Sequence, residues 1–216
     1  VPVVAHIGEI STATTIKLGK AVAAMGVDAV SVISPYFVPL KQSELIYHYT
    51  AIADAVPVPV FLYNIPGRTG NTIEPATARK LAEHPNIVGI KDSAGSYESL
   101  KGFLDAAKDV PDFDVLSGPD HLAHQGFLEG CSACISGLAN MSVLCMGRQA
   151  DRDVDIPQFG SCTHNVHPSP QALVLIATRL SGNVEVRNRK ADDQVNERLR
   201  FSNRSLGLLC IAERAL

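Results

Sequence analysis

Two apolar runs of this sequence end in residues that can take part in carbonyl chemistry. The stretch "FLYNIPGRTG" (61–70) carries Tyr63, and "NIVGIKDS" (86–93) carries Lys91. A lysine in an apolar interior is unfavourable as a cation, so desolvation favours its neutral, nucleophilic amine. Such an amine condenses with a ketone to form a Schiff base, and a nearby phenol can carry protons during the dehydration step. The alternative is a lysine whose amine reaches solvent beside a tyrosine that belongs to the core.

Both residues belong to an alternation of short apolar runs with longer segments of helical period. This pattern predicts a parallel sheet with crossover helices, and runs that are apolar throughout indicate strands covered on both faces. The predicted strands span 1–8, 28–36, 58–66, 86–93, 113–120 and 132–140, and the predicted helices span 11–26, 41–56, 75–84, 96–108 and 121–129. Tyr63 and Lys91 therefore end consecutive strands, and we expect their side chains to converge.

Six strands, each but the last followed by a helix, predict an α/β (β/α)8 TIM barrel that lacks its first two βα units. Strand C-termini in such a barrel face the mouth where ligands bind, so polar residues there are candidates for catalysis. An open barrel is expected to expose two strand edges, and to aggregate or need cover. We divide the chain into a partial barrel at 1–140 and an atypical segment at 141–216, with helices predicted over 170–181 and 192–215.

The composition argues against several classes of protein. A net charge of -3 provides no field that would suggest a nucleic acid or an anionic membrane as partner. The longest apolar runs have the length of strands, so none is predicted to span a bilayer, and no basic leader segment is recognisable. Five cysteines, an odd number, argue against a disulfide framework. We therefore predict a cytoplasmic protein.

Cysteine and histidine give only weak signals for a metal site. Cys131 and Cys134 form a C-x-x-C in a predicted buried strand and lack a second ligand pair, which favours core thiols. The stretch "CTHNVH" (162–167) is a weak candidate because it belongs to the atypical segment. His6, His121 and His124 lack an accompanying carboxylate pattern, which favours solvated or core histidines. We predict neither a metal nor a cofactor.

The motifs around Tyr63 and Lys91 resemble those of a known enzyme family. The motifs that carry the resemblance occur in the order found in that family: "AHIGEIST", "SPYF", "YNIPGRTG", "GIKDS", "LSGPD" and "ISGLAN". Residues 1–140 resemble the pyruvate-dependent class I aldolases of the dihydrodipicolinate synthase and N-acetylneuraminate lyase family. The resemblance implies a TIM barrel, usually tetrameric, with Lys91 forming a Schiff base with pyruvate and Tyr63 relaying protons. It also implies substrate-binding roles for Arg68 and Ile135, and a small aldehyde as the second substrate.

The resemblance leaves the choice of aldehyde open. Arg68 matches the arginine that, in dihydrodipicolinate synthases, holds the carboxylate of aspartate semialdehyde, and a guanidinium fork suits that role. A loop arginine that pairs with a surface carboxylate is the alternative. The stretch "AHIGEIST" is more similar to the neuraminate lyases and sugar-acid aldolases, so these activities remain alternatives.

Three departures from the family pattern bear on activity. The Thr-Thr-Gly-Glu loop that binds the pyruvate carboxylate in the family has no counterpart, and Phe37 stands where a second tyrosine, donated across a subunit contact, is common. Tyr36 lies one position away, and we expect it to point elsewhere. Residues 141–216 match no part of the family, which favours a reading-frame shift near Met141 or a gene remnant. An inactive homologue is therefore a further alternative.

Overall fold

A computed structural model describes residues 3–137 and, in addition, the backbone of residues 210–212. All six predicted strands and all five predicted helices are found in the first range, with shorter bounds. The strands are β1 (Val3–His6), β2 (Ala29–Ile33), β3 (Val60–Asn64), β4 (Ile87–Asp92), β5 (Asp114–Ser117), β6 (Ala133–Cys134) and β7 (Cys210–Ala212). The helices are α1 (Thr12–Ala23), α2 (Gln42–Ala55), α3 (Pro66–Thr69), α4 (Pro75–Leu81), α5 (Tyr97–Ala107) and α6 (Ala123–Glu129). The four-residue α3 was not predicted.

The strands form one parallel sheet in the order β6-β5-β4-β3-β2-β1-β7. From β1 to β6 the spatial order follows the chain, and a helix lies between each strand and the next. This is the arrangement of consecutive βα units in a barrel wall. The predicted partial (β/α)8 barrel is therefore confirmed.

Strand β7 corrects one prediction from the sequence. Residues 210–212 pair in parallel with β1, so the helix predicted over 192–215 is wrong at these positions. The apolar run "GLLCIA" fits a strand as well as a helix, and the free backbone groups at the edge of β1 supply its partners. The edge that was expected to be open beside β1 is therefore paired. The helix predicted over 170–181, the boundary at 140 and the stretch "CTHNVH" lie outside the described residues.

The sheet has two apolar faces of different size. The larger cluster joins strand residues such as Val32 and Leu62 to helix residues such as Tyr49 and Phe103. The smaller cluster contains residues of the strands and of the segment that follows β6, and it lies on the opposite, inner face: Val4, Ala29, Phe61, Leu116, Ala133 and Ile135. The alternation of side chains along a strand places Tyr63, two residues after Phe61, on this inner face as well.

Local sequence signals account for the helices that lead back to the sheet. Pro75 occupies the first turn of α4, where its missing N–H is not needed. Ser96 caps α5 by accepting a hydrogen bond from the Ser99 backbone N–H at 3.1 Å. Within residues 3–137, no helix is long and apolar enough to cross a membrane.

Candidate active site

Tyr63 and Lys91 meet on the inner face of the sheet. They are paired at the same level of β3 and β4, and Lys91 Nζ lies 4.1 Å from the centroid of the Tyr63 ring. Both side chains are buried, with 8% of Tyr63 and 6% of Lys91 exposed. The predicted convergence is confirmed. The Lys91 amine is therefore buried against an aromatic face, and the solvent-facing lysine considered as the alternative is not observed.

The residues that follow this pair lie on the opposite face and hold the two strand ends together. Asn64 Nδ2 donates to Asp92 Oδ1 at 2.8 Å, and Asn64 Oδ1 accepts from the Ile73 N–H at 3.0 Å. The Ala94 N–H also donates to Asp92 Oδ1, at 3.2 Å. Burial raises the pKa of the Asp92 carboxyl, and the hydrogen bonds that it accepts from Asn64 and Ala94 act in the opposite direction. This pair was not predicted from the sequence, although its members directly follow Tyr63 and Lys91.

His6 is a further inner-face residue whose position was missed. Its ring packs edge-on against the Tyr63 ring, with centroids 6.0 Å apart and planes at 87°. The sequence had suggested His6 only as a weak metal ligand. Among the described residues, no group of three or more histidine, cysteine or acidic side chains is placed to bind a metal. The register pairs His6 with Ser31, which pairs with Phe61, so His6 lies two residues before the level of Tyr63.

Arg68 lies on α3, just beyond the end of β3. The turn begins at Pro66 and closes at Gly70, whose φ of 75° is left-handed and suits glycine. The Arg68 side chain is exposed, and no carboxylate within residues 3–137 forms an ion pair with it. No hydrogen bond joins Arg68 to Tyr63 or Lys91 within that range. The guanidinium is therefore available at the same end of the sheet, and the surface ion pair considered from the sequence is not formed there.

Ile135 follows the end of β6. It is buried in the inner-face cluster with Leu116 and Ala133, and its N–H donates to the Ser117 carbonyl at 2.8 Å. The fold thus brings Tyr63 and Lys91 into direct contact. It places Arg68 beyond the end of β3 and Ile135 beyond the end of β6, at the same end of the sheet. The roles assigned to Arg68 and Ile135 stay predictions.

The segment after β2 carries two aromatic residues. Phe37 has a left-handed φ of 69° and is 87% exposed, and the Tyr36 ring lies 5.3 Å from it. A left-handed aromatic residue is uncommon and needs support from its surroundings.

The C-x-x-C thiols are buried and free, as predicted for core cysteines. Desolvation, with a smaller contribution from Asp92, raises the pKa of Cys131 to about 12. Burial also raises the pKa of Cys134. Neither thiol is therefore set up as a thiolate nucleophile.

A family model decides the relationship suggested by these residues. The model described as the dihydrodipicolinate synthetase family matches residues 1–149. This chain belongs to that family. Its match runs to residue 149, somewhat beyond the boundary predicted at 140.

Relatives within the dihydrodipicolinate synthetase family agree with this assignment. The 4-hydroxy-tetrahydrodipicolinate synthase of Geobacter sulfurreducens is 43% identical over 141 residues, which are 65% of this chain and 48% of the relative. The chain therefore spans about half the length of the curated relatives it matches.

Solved structures show the same relationship. The chloride-inhibited dihydrodipicolinate synthase of Acinetobacter baumannii, complexed with pyruvate, superposes with a TM-score of 0.64 and 40% identity, covering 69% of this chain and 50% of the other. A 2-keto-3-deoxygluconate aldolase from Picrophilus torridus gives a TM-score of 0.61 and 30% identity, covering 65% and 51%. These similar structures thus carry the names of two different enzymes.

Proposed function

We propose that this chain carries the lysine and tyrosine of a pyruvate-dependent class I aldolase site. The activity most like it is that of dihydrodipicolinate synthase, which condenses pyruvate with aspartate semialdehyde. One observation carries the proposal: Lys91 Nζ lies 4.1 Å from the Tyr63 ring centroid on a buried face at the ends of adjacent strands. Amine and phenol are the two groups that imine formation needs.

The reaction follows from the chemistry of these two groups. The Lys91 amine attacks the ketone carbon of pyruvate, and the carbinolamine hydroxyl leaves as water after taking a proton from the Tyr63 phenol. The protonated imine withdraws electrons, so that the pyruvate methyl group loses a proton and an enamine forms. The enamine carbon attacks the aldehyde carbon, and the aldehyde oxygen takes a proton relayed by Tyr63. Water then hydrolyses the imine, which releases the product and restores the amine.

Arg68 and Ile135 are proposed to bind the substrates. The exposed Arg68 guanidinium can hold a carboxylate through two parallel N–H donors, which suits the carboxylate of aspartate semialdehyde. Ile135, buried on the inner face, is proposed to line the pocket beside the reacting carbons. The reaction as proposed needs no cofactor.

A sugar-acid aldolase is the second candidate function. The similarity to the Picrophilus torridus 2-keto-3-deoxygluconate aldolase favours it, as does the stretch "AHIGEIST". Comparing aspartate semialdehyde with glyceraldehyde as acceptors, after pyruvate has been bound, distinguishes the two functions. An inactive homologue would use neither aldehyde.

We also propose a homo-oligomer, with a tetramer as the expected size, acting in the cytoplasm in lysine biosynthesis. The exposed aromatic ring of Phe37 beside the exposed Val38 supports a subunit contact. One solved relative is described as the first monomeric dihydrodipicolinate synthase variant, so the family itself does not fix the number of subunits. Light scattering coupled to size-exclusion chromatography measures the mass directly, and a monomeric mass would refute the oligomer.

Reductive trapping tests the proposed function. The full chain is incubated with pyruvate and borohydride, which reduces a Schiff base to a stable adduct, and peptides are then identified by mass spectrometry. We expect the adduct on Lys91 and no adduct in the Lys91→Arg variant. Lys101→Arg is the matched control, because Lys101 is an exposed lysine paired with Asp105. An unmodified Lys91, in a sample shown by circular dichroism to be folded, would refute the proposal.

A further inference from the structure

The side-chain amide of Asn71 is enclosed by the segment that follows β2. Asn71 Nδ2 donates to the Pro35 carbonyl at 2.7 Å and to the Val38 carbonyl at 2.8 Å. Its Oδ1 accepts from the Leu40 N–H at 2.7 Å. Asn71 is only 4% exposed, so these three bonds form largely away from water. One side chain thus fixes the path of residues 35–40, which we call the aromatic loop.

The backbone of Asn71 is tied to the turn that carries Arg68. Thr69 Oγ1 donates to the Asn71 carbonyl at 2.9 Å and accepts from the Asn71 N–H at 3.1 Å. Thr69 is the last residue of α3, directly after Arg68. The buried Ser34 hydroxyl, just before the aromatic loop, donates to Thr69 Oγ1 at 3.2 Å. The aromatic loop and the Arg68 turn therefore share a continuous set of buried hydrogen bonds.

The conformation of Phe37 shows that the aromatic loop is held firmly. A left-handed aromatic residue persists only where neighbouring contacts determine its backbone. The two carbonyls that Asn71 binds, Pro35 and Val38, lie on either side of the Tyr36–Phe37 pair. The Asn71 amide is thus placed to supply that support.

We propose that Asn71 is a positioning residue for Arg68: it holds the Arg68 turn and the aromatic loop as one unit, and so fixes the guanidinium where the carboxylate of the aldehyde substrate binds. The functional part of this inference rests on the proposed function. Arg68 is exposed and has no ion pair within residues 3–137, so its direction depends on the backbone beneath it. Without the Asn71 amide, that backbone loses its connection to the loop.

Two variants and one matched control test the inference. Asn71→Ala removes all three hydrogen bonds, and Asn71→Asp keeps the acceptor for the Leu40 N–H but loses both donations. Asn86→Ala is the control, because Asn86 Nδ2 also contacts three backbone carbonyls, those of Ala53, Val56 and Val58, at 2.9–3.1 Å. Asn86 precedes β4, and so acts at the opposite end of the sheet from Arg68.

Amide hydrogen exchange is measured first, because it does not depend on activity. We expect Asn71→Ala and Asn71→Asp to accelerate exchange both in residues 35–40 and in residues 66–71. Asn86→Ala should accelerate exchange around 53–58 and leave 66–71 as in the parent. Faster exchange confined to the aromatic loop would overturn the inference, because the Arg68 turn would then not depend on Asn71. If Asn71→Ala does not fold, Asn71→Asp gives the same comparison.

Steady-state kinetics then test the consequence for the substrate. In the Asn71 variants we expect KM for aspartate semialdehyde to rise about tenfold, with a smaller change in kcat. A ratio of about tenfold corresponds to weakening one charged hydrogen bond between Arg68 and the substrate carboxylate. Trapping of pyruvate on Lys91 should be unchanged in these variants and in Asn86→Ala. Coupled exchange with an unchanged KM would overturn the positioning role. An absent adduct in the parent would instead refute the proposed function, and the exchange comparison would still decide whether Asn71 links the two segments.

Discussion

The Asn64–Asp92 contact allows a sharp test of how the site is held in place. Asn64→Asp replaces the amide that donates to Asp92 Oδ1 at 2.8 Å with a second carboxyl group. Two carboxylates at that distance would repel by about 6 kcal/mol at an effective dielectric constant of ~20. Keeping one of them protonated at pH 7 costs only about 4 kcal/mol, given an ordinary aspartate pKa of ~3.9. Protonation therefore costs less free energy than the repulsion between two charges, so we expect the carboxyl groups at positions 64 and 92 of the variant to share one proton. The shared proton restores one hydrogen bond between them.

The shared proton gives the variant a characteristic pH dependence. At neutral pH the folded pair binds one proton that the unfolded chain does not, so the free energy of unfolding falls as pH rises. The expected slope is about 1.4 kcal/mol per pH unit between pH ~5 and ~8, and stability should recover toward pH ~4. Urea denaturation followed by circular dichroism at several pH values measures this slope against the parent.

A double substitution controls for the change in shape. Combining Asn64→Asp with Asp92→Asn exchanges the two groups, so that the new amide at position 92 donates to the new carboxylate at position 64. The Ile73 N–H keeps its acceptor at position 64. The Ala94 N–H shares Asp92 Oδ1 with Asn64 in the parent, so it faces the new amide nitrogen and loses its longer, 3.2 Å hydrogen bond. The double variant should recover most of the lost stability and lose the steep slope. A single variant without pH dependence, or a double variant no more stable than the single one, would refute the reasoning.

Three further outcomes are expected. Gly19→Ala should lower the free energy of unfolding by about 1–3 kcal/mol, because the new Cβ would lie 2.7 Å from Val56 Cγ2. Gly67→Ala is the control, since a Cβ there meets nothing within 4 Å in the described part of the chain, and it should change this free energy by less than about 0.5 kcal/mol. Urea titrations measure both. Burial lowers the pKa of His48 from 6.5 to about 4, so the stabilisation from its neutral form should be complete above pH 6.5 and be lost as pH falls toward 4. If the stability of a His48→Gln variant falls with pH as steeply as that of the parent, this reasoning is wrong. Tyr63→Phe should slow trapping of pyruvate by a factor of about 100 or more, and an unchanged rate would exclude the phenol as the proton relay.

The sequence was informative where local pattern and topology agree. Tyr63 and Lys91 end consecutive apolar runs, and the ends of adjacent parallel strands meet at one edge of the sheet. Their contact could therefore be predicted without coordinates. The same reasoning places Asn64 and Asp92 side by side, but their hydrogen bond depends on both side chains turning toward each other behind the sheet.

Other features depend on contacts that a local pattern does not contain. Asn71 binds residues 31–36 positions earlier in the chain, and nothing near it in the sequence names those partners. The left-handed φ of Phe37 is equally hidden, because an aromatic residue gives no turn signal. For residues 210–212, the apolar run allowed both a helix and a strand, and pairing with β1 decided between them.

Adjacent residues of one strand divide the work of this site between its two faces. Because side chains alternate along β3 and β4, Tyr63 and Lys91 face inward, where burial leaves an amine and a phenol together with little water. Asn64 and Asp92 come next and face the helices, where their hydrogen bond fixes the same strand ends from behind. The amine and the phenol that we propose to react are thus kept close and away from water by contacts on the other face of the sheet. In this sheet, the side chains that fix the strand ends are therefore found one position after the side chains that we propose to react.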